Sequence, residues 1–365
     1  MNFDKFLRSI LMALPLVSVS WADEWVGNRS DFEKLGFQVE GVKALKDPIQ
    51  RLFSEPLLSW PIQFESPEYS LGNVMAQYQD YGSGAYFHGG LDLRGQDGGE
   101  IVAPVSGRIE AGHYGYERQV DGSMKKWWRA WPNTGPDLYF EVAIVRDDGV
   151  RFEIHHIDRS TLTTEVIQAL KNQGRIAAGT KLGGIHHWPM AGAGGRLYHH
   201  VHYNIIDPSG RSLNPEAWSV PILVDQTPPT IHRVVAQKSG RVFEIAKNDL
   251  VDGVDTFYVV TTDQRASNVY IHMPSRVALM GASGVLTEWN FRNQLRTSQD
   301  SWPDIRQVFA ERLRLSSGEV ITTEGNYNEN IFIVQLKVPV GSKAQSILVQ
   351  DQKGNSSTFE LKSIP

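Results

Sequence analysis

The chain has no cysteine among its 365 residues, which excludes thiolate metal ligands, cysteine nucleophiles and disulfide bridges together. Any bound metal must therefore be held by nitrogen and oxygen. An excess of charge is also missing. Lys and Arg total 36 against 41 Asp and Glu, a formal net charge of -5, so no basic field argues for nucleic acid or for an anionic membrane surface. The apolar run at residues 10–19 is too short for a membrane-spanning helix, which needs roughly 20 residues. Internal repeats and low-complexity tracts are absent as well.

What the chain has in quantity is turn formers and large aromatics: 33 Gly, 18 Pro, 10 Trp and 12 Tyr, a balance that suits a turn-rich β protein. The length suggests two domains at roughly 150 residues each. Lys5 and Arg8, the apolar run and then Ser20-Trp21-Ala22 read as a secretory signal peptide cut after Ala22, so the expected location is the periplasm or the cell exterior. Residues 23–65 read as a partly helical N-terminal arm, with Asp31 as an N-cap ahead of Phe32 and Leu35. Residues 66–224 would form the first domain, strand-like in pattern over 66–87, and Asp225-Gln226-Thr227-Pro228-Pro229-Thr230 a stiff linker. Residues 231–365 would form a β-sandwich, on the strength of β-branched runs at 256–261, 268–273, 330–338 and 345–350. Asp249, Asp252 and Asp255 read as a solvated acidic loop in preference to a calcium site.

The densest chemical signal is Tyr198-His199-His200-Val201-His202-Tyr203-Asn204-Ile205. Its aromatic and β-branched content predicts a strand, and alternation along a strand puts His200 and His202 on one face. A second signal is His88-Gly89-Gly90-Leu91-Asp92, where the paired glycines argue against a helix. A turn would deliver His88 and a strand Asp92, with Leu91 and Leu93 facing the core. A third is the strand predicted at 150–157, ending His155-His156-Ile157; with a period of two, only one of these histidines would face a common site. Glu100 to Ala111 reads as two short strands, residues 161–172 as a helix closed by Gly174, and 113–137 as a long loop rich in Trp and Lys.

Together these segments offer His88, Asp92 and His202 as metal ligands, with His156 and His200 as two further imidazoles. Two histidines and one carboxylate leave a fourth tetrahedral position open, the pattern of catalytic zinc. Zinc brings the pKa of bound water down to about 7, and a hydrolytic site then needs a base, a proton donor and charge stabilisation. His156 and His200 would supply these, with either assignment open.

The same residues carry a family resemblance. His88, Gly90 and Asp92, then His156-Ile157, the Gly179-Thr180-Lys181-Leu182-Gly183 turn, and His200 with His202 resemble, in order, the motifs of the lysostaphin/LytM-type zinc endopeptidases. The resemblance covers about residues 78–218. It implies a compact antiparallel β-sheet domain of the duplicated hybrid motif type, a single Zn2+ on His88, Asp92 and His202, and a catalytic pair in His156 and His200. It also implies cleavage of peptidoglycan stem peptides or cross-bridges. Residues 231–365 resemble the Ig-like modules that follow such peptidases, through the TPPT linker and the Asp351-Gln352-Lys353-Gly354-Asn355 turn, which implies a targeting role or a protein partner there. Two departures stand out: the 113–137 segment, and His155 where the family carries a small residue. Asn73 is the candidate for the inhibitory ligand some members place before the first motif. The competing readings are a peptidase acting on a protein, a non-catalytic activator of other wall hydrolases, and a histidine phosphocarrier, which the signal peptide disfavours.

Overall fold

The computed structural model describes residues 59–362, except 81–84, 119–123, 134, 136, 193–194, 211, 220–224, 248, 250, 266, 293–303 and 325–329. The expected signal peptide and most of the expected N-terminal arm lie outside the described residues. Leu58–Pro365 forms one compact unit. The chain is mainly β and its strands pair antiparallel, as the composition predicts. Among the described residues no helix is long and apolar enough to cross a membrane.

The first half opens with a 3-10 turn at Pro67–Tyr69 and a minimal hairpin, β1 (Tyr78–Gln79) with β2 (Tyr86–Phe87). The largest sheet then contains β3 (Leu91–Arg94), β5 (Gly107–Arg118), β6 (Met124–Ala130), β7 (Phe140–Val145), β8 (Arg151–His155), β10 (Arg175–Ile176), β12 (His200–Ile206) and β13 (Ser212–Leu213). Its order is β10-β5-β7-β8-β12-β13, with β3 on β12 and β6 on β5. A smaller sheet pairs β4 (Glu100–Val102), β11 (Lys181–Ile185) and β9 (Ile157–Asp158). Helix α1 (Thr164–Lys171) starts where Thr163 accepts the backbone N–H of Val166 and buries Val166.

Register explains which face of the large sheet carries chemistry. Val142 pairs with Ile154 and Ile154 with Tyr203, while Ile144, Phe152 and Ile205 form the next row; all are fully buried apolar side chains. The residues between them point the other way. Glu141 pairs with His155, Ala143 with Glu153, Glu153 with Asn204, and His202 with Asp92. One face is thus core and the other polar.

Three local expectations differ from the structure. Residues 113–137 are not a loop: β5 and β6 pair from Gly112↔Ala130 to Arg118↔Met124 as a long two-stranded ribbon. The ring of Trp128 lies against Gly112 and that of Trp127 against Gly115, where an added Cβ would come within 2.7 and 2.4 Å of the indoles. The absence of a side chain at these two glycines is what gives the indoles room against the strand. Residues 66–87 are mostly turns with two-residue strands, and 268–273 contributes only Ile271–His272 to a strand.

The second half is a two-layer sandwich. One layer holds β14 (Thr230–Lys238), β15 (Arg241–Ile245), β16 (Thr256–Gln264), β17 (Ile271–His272) and β22 (Phe332–Lys337). The other holds β18 (Arg276–Gly281), β19 (Gly284–Asn290), β23 (Ala344–Gln350) and β24 (Ser356–Glu360). A small hairpin, β20 (Arg312–Arg314) with β21 (Val320–Thr322), lies outside both. Phe257, Val259, Val334 and Leu336 of the first layer meet Val277, Leu279, Ile347 and Val349 of the second in one buried core. That core also takes in Ala76 and Tyr78. Tyr78 and Phe87 lie edge to face or tilted against Phe309 at 5.5 and 5.9 Å, so the hairpin leading into His88 is seated in the sandwich.

Candidate metal centre

His88, Asp92 and His202 converge as the strand reading requires. β3 and β12 are hydrogen-bonded neighbours with Asp92 opposite His202, and His88 arrives from the β2 side of the Gly89-Gly90 turn. The His88 Nε2 and His202 Nδ1 atoms each lie 3.0 Å from Asp92 Oδ1. The three residues offer ligand atoms within 4.8 Å of one another. Zinc bonds of about 2.0–2.1 Å set tetrahedral ligand separations at about 3.4 Å, so small outward shifts would admit the ion. The donor set also fits by chemistry. His88 Nδ1 lies 3.1 Å from the Val74 carbonyl, which holds its proton there and leaves Nε2 bare.

Asp92 is held by a second set of contacts. Its Oδ2 accepts hydrogen bonds from Asn73 Nδ2 at 2.9 Å and from the Tyr198 hydroxyl at 3.0 Å. The Asn73 side-chain oxygen accepts from Gln77 Nε2 at 2.9 Å. Asn73, the candidate for an inhibitory ligand, here orients the carboxylate and turns its own side-chain oxygen to Gln77. Burial alone would raise the Asp92 pKa, but His88, His200 and His202 around it hold it well below the usual carboxylate range. Asp92 stays ionised.

Next to this cluster, His156 and His200 stand with ring centroids 4.8 Å apart. His156 Nδ1 donates to the Leu138 carbonyl and His200 Nδ1 to the Tyr198 carbonyl, each at 2.7 Å. Both rings are thereby fixed with Nε2 as the bare nitrogen. His200 Nε2 is 3.8 Å from Asp92 Oδ1. Burial lowers the pKa of His156 well below its ordinary value, that of His200 to about 4 and that of His202 to about 3. Neutral imidazole is the form that ligates metals and accepts protons.

The pair at 155–156 departs from the alternation expected of it. β8 ends at His155, and His156 has φ of +64°, the left-handed region, with its N–H on the Phe140 carbonyl and its carbonyl taking the His186 N–H. The backbone turns at that residue, so both rings reach the polar face. His155 lies 5.1 Å from the His202 ring, centroid to centroid, and between Glu141 and Glu153 at 3.6 and 3.5 Å. Arg151 joins both glutamates at 2.9 and 2.8 Å.

Two contributors went unassigned in the sequence. Tyr198 was visible in the histidine strand, and a buried phenol needs a partner for its hydroxyl. Trp188, in the loop before that strand, packs its ring against His156 at 4.8 Å and His200 at 4.7 Å.

No protein-family model matches the chain, and no curated protein does. Among solved structures, a chain from "Structure of the SpoIIQ-SpoIIIAH pore forming complex" is similar at 18% identity and a TM-score of 0.28, covering 45% of this chain and 90% of that one. At that TM-score the likeness carries no argument.

Proposed function

We propose that this chain is an exported zinc endopeptidase that hydrolyses peptide cross-links of peptidoglycan. The observation that carries the chemistry is the convergence of His88 Nε2 and His202 Nδ1 on Asp92 Oδ1, beside two buried imidazoles whose Nε2 atoms are bare. The substrate class rests on the sequence resemblance to lysostaphin/LytM-type enzymes, and export rests on residues 1–22.

His88, Asp92 and His202 would hold the zinc. When bound, zinc supplies a water acidified to a pKa of about 7 and a Lewis acid for the substrate carbonyl. The protein's own groups do the rest. Of the His156 and His200 Nε2 atoms, both bare at rest, one accepts the proton of the attacking water, and that proton then serves the developing oxyanion as a hydrogen bond or passes to the leaving amine, directly or through the other ring. Their backbone-anchored Nδ1–H groups keep both rings aimed. The Trp188 ring limits water around the pair, which strengthens each of these interactions.

The test is digestion of purified peptidoglycan by the mature chain, with and without a zinc chelator, followed by mass spectrometry of the released muropeptides. Chelator-sensitive conversion of cross-linked dimers to monomers supports the reading. Intact cross-links with zinc demonstrably bound would move the assignment to a protein substrate or to a binding role.

A further inference from the structure

Far from the histidine site in sequence, three aspartates meet where the linker enters the sandwich. Asp225 opens the linker, Asp263 lies near the end of β16, and Asp351 follows β23. Each offers a carboxylate oxygen within 4.8 Å of the other two. The residues are 8%, 0% and 0% exposed, so solvent does not carry their charge.

A second observation comes from hydrogen bonding. Asp263 Oδ1 and Asp225 Oδ2 are buried with no hydrogen-bond partner, in a chain that pairs their sister oxygens: Asp225 Oδ1 accepts from Thr227 N–H at 3.0 Å and Asp263 Oδ2 from Arg265 Nε at 3.3 Å. An orphaned buried carboxylate oxygen is costly unless something cationic or protic meets it. Arg265 does not cover the deficit, because its Nη1 is taken by the buried Glu216. Lys353 reaches that same Glu216 at 4.0 Å. Four carboxylates against Arg265 and Lys353 leave two negative charges. In the bare protein, burial together with Asp351 and Asp225 pushes Asp263 up to about 7 against the pull of Arg265.

We infer that Asp225, Asp263 and Asp351 form a binding site for a hard divalent cation, calcium by preference. All donors are oxygens, which disfavours zinc and copper. Calcium accepts six to eight oxygens in flexible geometry, whereas magnesium demands a near-ideal octahedron and usually keeps several waters, so a buried group of protein carboxylates suits calcium better. The frame is preset: Asp351 accepts the N–H groups of Lys353 and Asn355, and Asn355 Nδ2 donates to Asp351 Oδ2 and to the Asp225 carbonyl.

The position gives the site a purpose. Asp263 stands at the base of the β16–β17 hairpin, paired with His272. From that hairpin Asn268 donates to the Leu71 carbonyl, and His272 Nε2 to that of Gly72. The Tyr270 ring lies 5.6 Å from Tyr198, whose hydroxyl holds Asp92. A cation at the hairpin base steadies the support of the histidine site, and the inference stands whether or not that site hydrolyses peptidoglycan.

The experiment uses the full mature chain, stripped with a chelator and titrated with calcium chloride at pH 7.5 by isothermal calorimetry, with melting followed in parallel. Uptake of about one calcium per chain, tighter than about 1 mM, with a rise in melting temperature, is expected. Asp263→Asn and Asp225→Asn should each weaken uptake at least about tenfold, while His202→Ala leaves it unchanged. Should Asp263→Asn fail to fold, Asp225→Asn and the wild-type titration decide. No uptake by the wild-type chain at 10 mM calcium, or uptake indifferent to the aspartate substitutions, would each overturn the site; a wild-type chain that takes up no calcium while Asp263→Asn melts higher would show that the cluster shares a proton instead.

Discussion

At the candidate centre Asp92 is held from behind by residues outside the proposed ligand set. Asn73 and Tyr198 fix the Oδ2 side of Asp92, leaving Oδ1 to face the two histidines. Removing such a support typically costs 10–100-fold in metal affinity. Asn73→Ala and Tyr198→Phe are each expected to lower zinc affinity in that range, read by competition with a chromophoric chelator. Tighter binding or higher activity in Asn73→Ala would instead support the inhibitory-ligand reading. That His200 and His202 share a face was legible in the sequence because a period of two is a geometric rule, but the same rule put His156 with Phe152 and Ile154 and did not place it beside them. The second imidazole was misjudged at 155–156 because a residue with positive φ breaks that rule, and no composition signal marks a histidine that will adopt it.

Protonation belongs to the same scale. Burial holds His200 at about 4 and His202 at about 3, below the ordinary 6.5. In the metal-free protein both rings should stay neutral at pH 5.5 by nitrogen-15 NMR, with His200 titrating near 4. The sign for stability follows from linkage. An unfolded chain takes up these protons as pH falls through 6.5 and the folded chain does not, so the contribution of these rings is fully present above 6.5 and is lost as pH falls toward the folded values. Rings that titrate near 6.5 would mean that the site is wetter than described.

At the level of elements, the pairing of β3 with β12 builds the site, and Gly90 permits it. A Cβ at Gly90 would lie 2.0 Å from Asn204 Oδ1, 2.7 Å from the Tyr203 carbonyl and 2.8 Å from His202 Nε2. The carbonyl belongs to the sheet and cannot move aside cheaply. Gly90→Ala should cost about 1–3 kcal/mol of stability and weaken zinc binding with every ligand still present. Thermal melts and a zinc titration check this, and wild-type values in both would contradict it. Element existence was readable here from alternation and turn residues. The β5–β6 ribbon was not, since Trp, Lys and Gly in succession lack the alternating pattern; the indoles that cover Gly112 and Gly115 supply the packing the glycines cannot.

For the molecule as a whole, the linker prolines predict a domain boundary at 225–230, and the strands before and after it belong to different sheets. They do not predict how the two halves pack. Ala76 and Tyr78, from the segment before His88, share a buried core with Phe257, Val334 and Ile347 of the sandwich. Long-range packing of this kind has no local sequence signature. A shared core makes unfolding cooperative, so calorimetry of the full chain should show one transition, with Tyr78→Ala lowering it as a unit by about 3–5 kcal/mol. Two resolved transitions, with only one moved by Tyr78→Ala, would show the halves to be independent.

The central claim is a division of labour: His88, Asp92 and His202 hold zinc while His156 and His200 handle protons. The most direct measurement is zinc content and turnover on cross-linked muropeptides in the same preparations of wild type, His202→Ala and His200→Ala. The account predicts that His202→Ala loses both zinc and turnover, and that His200→Ala keeps zinc while turnover falls by roughly 10²–10⁴-fold. Full zinc in His202→Ala, or zinc lost from His200→Ala, would show that the ligand set is wrong.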